Sequence, residues 1–258
     1  RVRNHWHAPA HELAVADGGG SVVLVAHRGE VRELHRLDLV ARRVRPWLSV
    51  RAARVLQSFD GGLLPIVDDY GLAFLDAAAS TPRVLWREFD RDTHVIDIAR
   101  SPGSMAALVQ LPAHGGGAAL ELWRWDLPSL MLRERTPVVP GDADGHALSA
   151  SGLLLTRHPD PDGASLRLGG ELLRTAPPDT RLLASGEVMA VATPTGIQTV
   201  VDVGTEIGAP VARVAIPDAG DVGIRHHANI ITVRDSRGRV VAVDLVARGV
   251  VADLRTTL

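Results

Sequence analysis

The chain has 258 residues, 46% of them hydrophobic, a net charge of −2 and no cysteine. That length supports a well-buried core. The near-neutral charge supplies no field to attract nucleic acid or an anionic membrane, and the absence of thiols excludes disulfide frameworks, zinc–thiolate centres and cysteine nucleophiles. No apolar run approaches the ~20 residues of a membrane-spanning helix. The chain has no lysine, its formal positive charge being carried by arginine, a usage that accompanies GC-rich bacterial genomes. A cysteine-free chain suits the cytosol and the exterior alike; a soluble, cytoplasmic protein is the working expectation. The chain begins at Arg1 and is read as one module excised from a longer protein.

Short apolar runs bounded by Gly, Pro, Asp or Ser recur along the whole chain. They include Glu12–Ala16, Val22–Ala26, Leu63–Val67, Leu72–Leu75, Ala106–Leu111, Leu153–Thr156, Val188–Ala192, Ile230–Val233 and Val240–Leu245. Each has the length of a strand rather than a helix. In 119–125, Leu120, Leu122 and Arg124 alternate with Glu121, Trp123 and Trp125, which places the two sets on opposite faces of a strand. The one helix-like stretch, Leu37–Ala53, is interrupted by Pro46 and is read as a strand plus linker, with a single helical turn expected over Arg51–Leu56.

The runs group into six units that begin near His11, Arg54, His94, His146, Arg181 and Asp221, a spacing of roughly 40 residues, which is the period of a four-stranded blade. The clearest fourth strands are Val84–Phe89, Leu130–Val139, Leu172–Thr175, Val211–Ile216 and Val250–Leu254. A four-stranded sheet with two apolar faces cannot bury both alone. Arranged radially, each sheet covers its neighbour and only short edges remain. The expected fold is therefore an all-β propeller of about six four-stranded blades, seven being the alternative, forming a single domain over 1–258. Residues Arg1–Trp6 are a candidate outer strand for closing the ring on the last blade.

Two stretches carry a family resemblance. Ile96–Gly103 followed by Leu120–Leu127, and Val240–Leu245 in the last unit, resemble divergent WD-type repeats. Trp125-Asp126 reproduces the aromatic–Asp pair that ends the third strand, Leu37-Asp38 and Val243-Asp244 are weaker versions, and Gly145-His146 matches the dipeptide that opens the repeat. The pattern is also similar to the bacterial propellers encoded beside MoxR-type ATPases and von Willebrand A proteins. What the resemblance implies is a platform for partners.

The candidate sites are local. Trp123 and Trp125 share a strand face: exposed, they form an aromatic platform, and buried, they are inter-blade packing, the reading favoured because tryptophan is usually mostly buried. Asp68-Asp69 and His226-His227 are taken with them as an interaction surface, although His226-His227 reads as a loop with no ligand role. His5 and His7, near His11, share one face of a strand without a matching carboxylate, so an entry strand is favoured over a metal site. Asp142-Ala-Asp-Gly145 and Asp160-Pro-Asp-Gly163 begin like calcium loops but lack the closing carboxylate, so they are read as turns. Asp90 and Asp92 are turn acids, Gly18–Gly20 and Gly115–Gly117 are hairpin turns, and Arg42, Arg43 and Arg45 form a solvated outer strand. The expectation is a non-catalytic protein-interaction scaffold, binding a protein, including other domains of its own chain, through its rim and channel mouth. No cofactor, nucleic acid or membrane is expected. The alternative is a six-bladed hydrolase or lactonase-like enzyme with a channel metal, whose mark is inner-strand Asp, Glu, Asn or His side chains converging from several blades.

Overall fold

The structure is a computed structural model. It describes residues 10–255 apart from 17–20, 29–30, 52–53, 56–62, 69–70, 77–78, 89–93, 102, 113–117, 128, 140, 206–209, 218–220 and 228. All secondary structure among the described residues is strand, in six antiparallel sheets of four consecutive strands. The first holds β1 (Ala10–Ala16), β2 (Ser21–Arg28), β3 (Val31–Asp38) and β4 (Arg43–Arg51). The second holds β5 (Arg54–Val55), β6 (Leu63–Asp68), β7 (Gly71–Asp76) and β8 (Val84–Arg87). The third holds β9 (His94–Arg100), β10 (Ser104–Pro112), β11 (Ala118–Asp126) and β12 (Met131–Val138). The fourth holds β13 (Gly145–Leu148), β14 (Leu154–Asp160), β15 (Gly163–Leu168) and β16 (Glu171–Ala176). The fifth holds β17 (Arg181–Ser185), β18 (Val188–Pro194), β19 (Gln198–Gly204) and β20 (Ala212–Pro217). The sixth holds β21 (Val222–His227), β22 (Ile230–Asp235), β23 (Arg239–Asp244) and β24 (Gly249–Arg255).

The backbone forms two compact units, residues 1–95 with 110–118, and residues 96–109 with 119–258. In the first unit, Leu34 and Trp47 of the first sheet bury themselves with Leu64, Ile66, Ala73 and Leu75 of the second. The Trp47 indole N–H and the Arg36 guanidinium both donate to the carbonyl of Ala79, at 3.2 and 2.7 Å. Pro46 is tolerated because β4 is an outer strand, where a missing N–H costs no ladder bond.

In the second unit the packing follows directly from alternation. Along β18, Val188, Ala190 and Ala192 join a cluster with Val222, Ile224, Ile231, Val233, Val241 and Val243 of the sixth sheet. The intervening Met189 and Val191 join Ala147, Leu155 and Leu166 of the fourth. The strand thus buries both faces, each against a different neighbouring sheet, as its unbroken apolar run requires. The fourth sheet repeats this: Leu155 faces the fifth sheet, while Leu148 and Leu154 face Ala99, Ala106 and Leu108 of the third.

Polar links sit where the first hairpins of these sheets meet. Glu187 accepts from Ser104 Oγ at 3.1 Å and from the Ser151 amide at 3.0 Å, bridging three sheets. The Ala150 amide donates to the Gly186 carbonyl at 2.9 Å. Gly186 has φ +61°, and a Cβ there would lie 3.0 Å from His226 Nδ1 and 3.3 Å from the Arg100 carbonyl, so no larger residue fits without displacement.

The helical turn expected over Arg51–Leu56 is absent from its described part. Arg51 ends β4, and Arg54 and Val55 pair with Val67 and Ile66, because a first strand must pair with the apolar β6 to close the sheet. His226-His227 lies not in a loop but in β21, where the pair faces Ile231 and Ile230 across the ladder. Residues 1–6 lie outside the described residues.

Leu155 is fully buried and Leu172 is 65% exposed. Leu155→Ala is expected to cost about 2–5 kcal/mol, and Leu172→Ala less than about 0.5 kcal/mol. Chemical denaturation of the two variants measures the difference.

Candidate functional site

The most chemically structured group lies in the second unit, on the face of the fourth sheet turned toward the third. Leu148 and Leu154 are cross-strand partners and fill one half of that face. Two residues further along, the same face carries His146, Thr156 and Arg167, which are successive cross-strand partners over β13, β14 and β15. The next row holds His158 and Ser165, again partners. Strand periodicity sets this out: Thr156 and His158 are two apart on β14 and share a side.

Hydrogen bonds join two of these groups, Thr156 and His158, with Asp142 into a chain. His158 Nδ1 lies 2.7 Å from Asp142 Oδ1, and His158 Nε2 lies 2.9 Å from Thr156 Oγ1. A carboxylate only accepts, so Nδ1 carries the proton and donates it; in the neutral ring, Nε2 then accepts from the Thr156 hydroxyl. The His158 side chain is only 9% exposed, whereas that of Asp142 is 74% exposed. Asp142 is held below the ordinary carboxyl value of 3.8, first by the hydrogen bond from His158, then by its own backbone N–H and the fields of His158 and Arg167, with partial desolvation opposing. On the same face, His146 Nε2 stands 3.6 Å from Asp97 Oδ2 of β9.

Around this face the same end of the unit is cross-braced. Arg157 binds Asp144 through Nε at 2.8 Å and Nη2 at 3.0 Å, and its Nη1 donates to the carbonyls of Pro178 and Thr180 at 3.0 and 2.6 Å. The pairing with Arg157 holds the Asp144 carboxyl below its ordinary value. Arg181 pairs with Asp221. These contacts explain both aspartates of the 142–145 motif: they face a histidine and an arginine, in agreement with a turn. Among the described residues, no three His, Asp or Glu side chains are grouped to hold a metal ion.

The sequence candidates fall out unevenly. Trp123 and Trp125 are buried and in edge-to-face contact, centroids 6.0 Å apart, which is the packing arrangement favoured over a platform. Glu121 accepts from the Trp123 indole at 2.7 Å and the Arg135 guanidinium lies 4.1 Å from its ring centroid, which satisfies the indole without a partner. His226 is half-buried and its amide donates to Ser185 Oγ at 2.9 Å. Asp68 ends β6; Asp69, His5, His7, Asp90, Asp92, Gly18–Gly20 and Gly115–Gly117 lie outside the described residues. Arg42, Arg43 and Arg45 are exposed, as expected of an outer strand. Sequence reasoning missed Thr156, His158 and Arg167. The only available signal was the Thr-x-His spacing on a strand, which is common by chance.

No protein-family model and no curated protein matches the sequence. Solved structures do resemble it. The β-propeller domain of the trilobed protease from Pyrococcus furiosus aligns with a TM-score of 0.53 at 13% identity, over 91% of this chain and 78% of that one. The fold is a β-propeller of six four-stranded blades. An uncharacterized protein from Listeria monocytogenes aligns at 0.52 and 11% identity, over 95% of this chain and 84% of that one. The tricorn protease aligns at 0.51 and 10% identity over 95% of this chain but 31% of its own, so the propeller here spans about a third of that protein. At such identities the likeness concerns blade architecture alone.

The lowered Asp142 value has a pH consequence. A carboxyl whose folded value is depressed stabilises above its unfolded value and loses that contribution as pH falls through the folded value. Asp142→Asn is expected to flatten the acid side of the stability profile below about pH 4. Thermal unfolding midpoints measured against pH for both proteins test this.

Proposed function

We propose that this propeller is a protein-interaction scaffold acting as one domain, and that it engages a basic segment of its partner through the rim at the starting ends of β13, β17 and β21. The observation that supports the reading is the charge of that rim. Asp142, Asp144, Asp160, Asp162, Asp179 and Asp221 are all exposed there, against Arg157 and Arg181. Topology brings them to one end: β13 begins where β14 ends, the Asp160–Gly163 hairpin lies at that end, and Arg157 ties the 177–180 connection to it. Surplus negative charge speeds encounter with a cationic segment and repels a phosphate backbone. The bracing by Arg157 presents the acids on backbone that needs little further ordering, which lowers the cost of binding.

Titration with an arginine-rich peptide is expected to show saturable binding that weakens steeply with added salt. Reversing Asp160 and Asp162 together to lysine is expected to weaken it about tenfold or more, with stability altered by less than about 0.5 kcal/mol. Binding indifferent to both salt and reversal counts against the rim.

A further inference from the structure

The rim reading uses only the charge of Asp142, not its bond to His158. We propose that Thr156, His158 and Asp142 form a nucleophilic relay that takes an acyl group from a small carboxylic ester. Geometry carries the inference: hydroxyl, imidazole and carboxylate are joined in series at 2.9 and 2.7 Å, with the ring tautomer set by the carboxylate so that its free nitrogen faces the hydroxyl. This is the order of groups that activates a hydroxyl nucleophile, and such sites are recognised by geometry and role rather than by chain position. Among the described residues the hydroxyl's other hydrogen bond is a long one, 3.5 Å to the Arg167 carbonyl. The imidazole is largely shielded from water, which strengthens both bonds.

The surroundings fit the chemistry. Thr156 is half-buried, while its cross-strand partners His146 and Arg167 are exposed, so the row opens to solvent. Partners across a ladder have Cβ atoms about 5 Å apart. His146 and Arg167 thus flank Thr156 on the same face, His146 turned to Asp97 at 3.6 Å, and Arg167 is the cationic neighbour within reach of a carbonyl oxygen under attack. The field of Arg167 already reaches Asp142.

In the reaction, Thr156 Oγ1 bonds to the ester carbonyl carbon while its proton passes to His158 Nε2. The tetrahedral oxyanion collapses, the bond to the alcohol oxygen breaks, and the imidazolium returns its proton to the departing alkoxide. An acyl ester remains on Thr156. Water deprotonated by the same nitrogen then releases the carboxylic acid and restores the hydroxyl. Thr156 and His158 are the catalytic residues; Asp142 is a positioning residue that holds the ring in the productive tautomer.

The test is incubation of the full chain with p-nitrophenyl acetate, followed by peptide mapping and p-nitrophenolate release. The expected result is one acetyl group on Thr156. His158→Gln is expected to slow acylation about 100-fold or more. Asp142→Asn is expected to lower the saturating acylation rate about tenfold, without altering the ester concentration that half-saturates it. Thr156→Ser, which removes a methyl group beside the nucleophile, is expected to react faster than the native chain. Acetylation absent from Thr156, or present there and indifferent to His158→Gln, overturns the proposal. Site mapping on the native chain decides this even if a variant fails to fold. The readout is separate from peptide binding at Asp160 and Asp162, so either reading can fall alone.

Discussion

A sheet of four short strands, apolar on both sides, has to be covered twice. Everything in the second unit follows from that requirement. Along β18 alternate residues divide between two clusters, one shared with the fourth sheet and one with the sixth. Fully burying each Val or Met side chain is worth about 1.5–3 kcal/mol, but only when a neighbour supplies the opposite wall. Hence the small residues: Ala147, Ala190, Ala192, Val201 and Val203 let sheets approach closely where larger side chains would hold them apart. The same requirement puts a glycine and a shared carboxylate, Gly186 and Glu187, where three first hairpins crowd together.

The outer edge is shaped by a different device. In three sheets the third strand ends in an aspartate and the fourth residue after it has positive φ: Asp38 with Arg42, Asp126 with Leu130, Asp244 with Arg248. Asp38 Oδ1 accepts from the amides of Val40 and Ala41, and Asp244 Oδ1 from those of Val246 and Ala247. The carboxylate closes the turn by occupying backbone donors, as Asx turns do. In these sheets the third and fourth strands also share a register shift, which adds twist to the outer strand. Asp38 and Asp244 are therefore turn-builders, whereas the Asp126 carboxylate pairs with the Arg133 guanidinium of the outer strand.

The face of the fourth blade turned to the third departs from the pattern. Half of it is apolar and packs; the other half is polar and opens to solvent at the charged rim. A sheet that must be covered on both sides can afford polar groups only near its ends, where they meet water or one another. The exposed Asp142 reaches in to the buried His158, and the bond between them satisfies a ring that would otherwise be costly to bury. That pairing both stabilises the rim and sets the tautomer facing Thr156.

Strand period, turn chemistry and repeat spacing are local, so they were readable in one dimension. The six unit starts expected near His11, Arg54, His94, His146, Arg181 and Asp221 coincide to within one residue with the first strands of the six sheets. Outer strands such as Val250–Leu254 were placed equally well, because Gly, Asp and Pro mark their ends whatever the tertiary context. Pairing between distant residues was not readable. Whether Trp123 and Trp125 faced water depended on Glu121 and Arg135 and on the neighbouring sheet; whether His226 lay in a loop depended on Ile231 across the ladder. The relay was hidden for the same reason. Asp142 and His158 are 16 residues apart, and only the folding of β13 against β14 brings carboxylate, imidazole and hydroxyl into line. Alternation names the residues on a face, but the contacts that give them chemistry come from the ladder and from the loops that close over it.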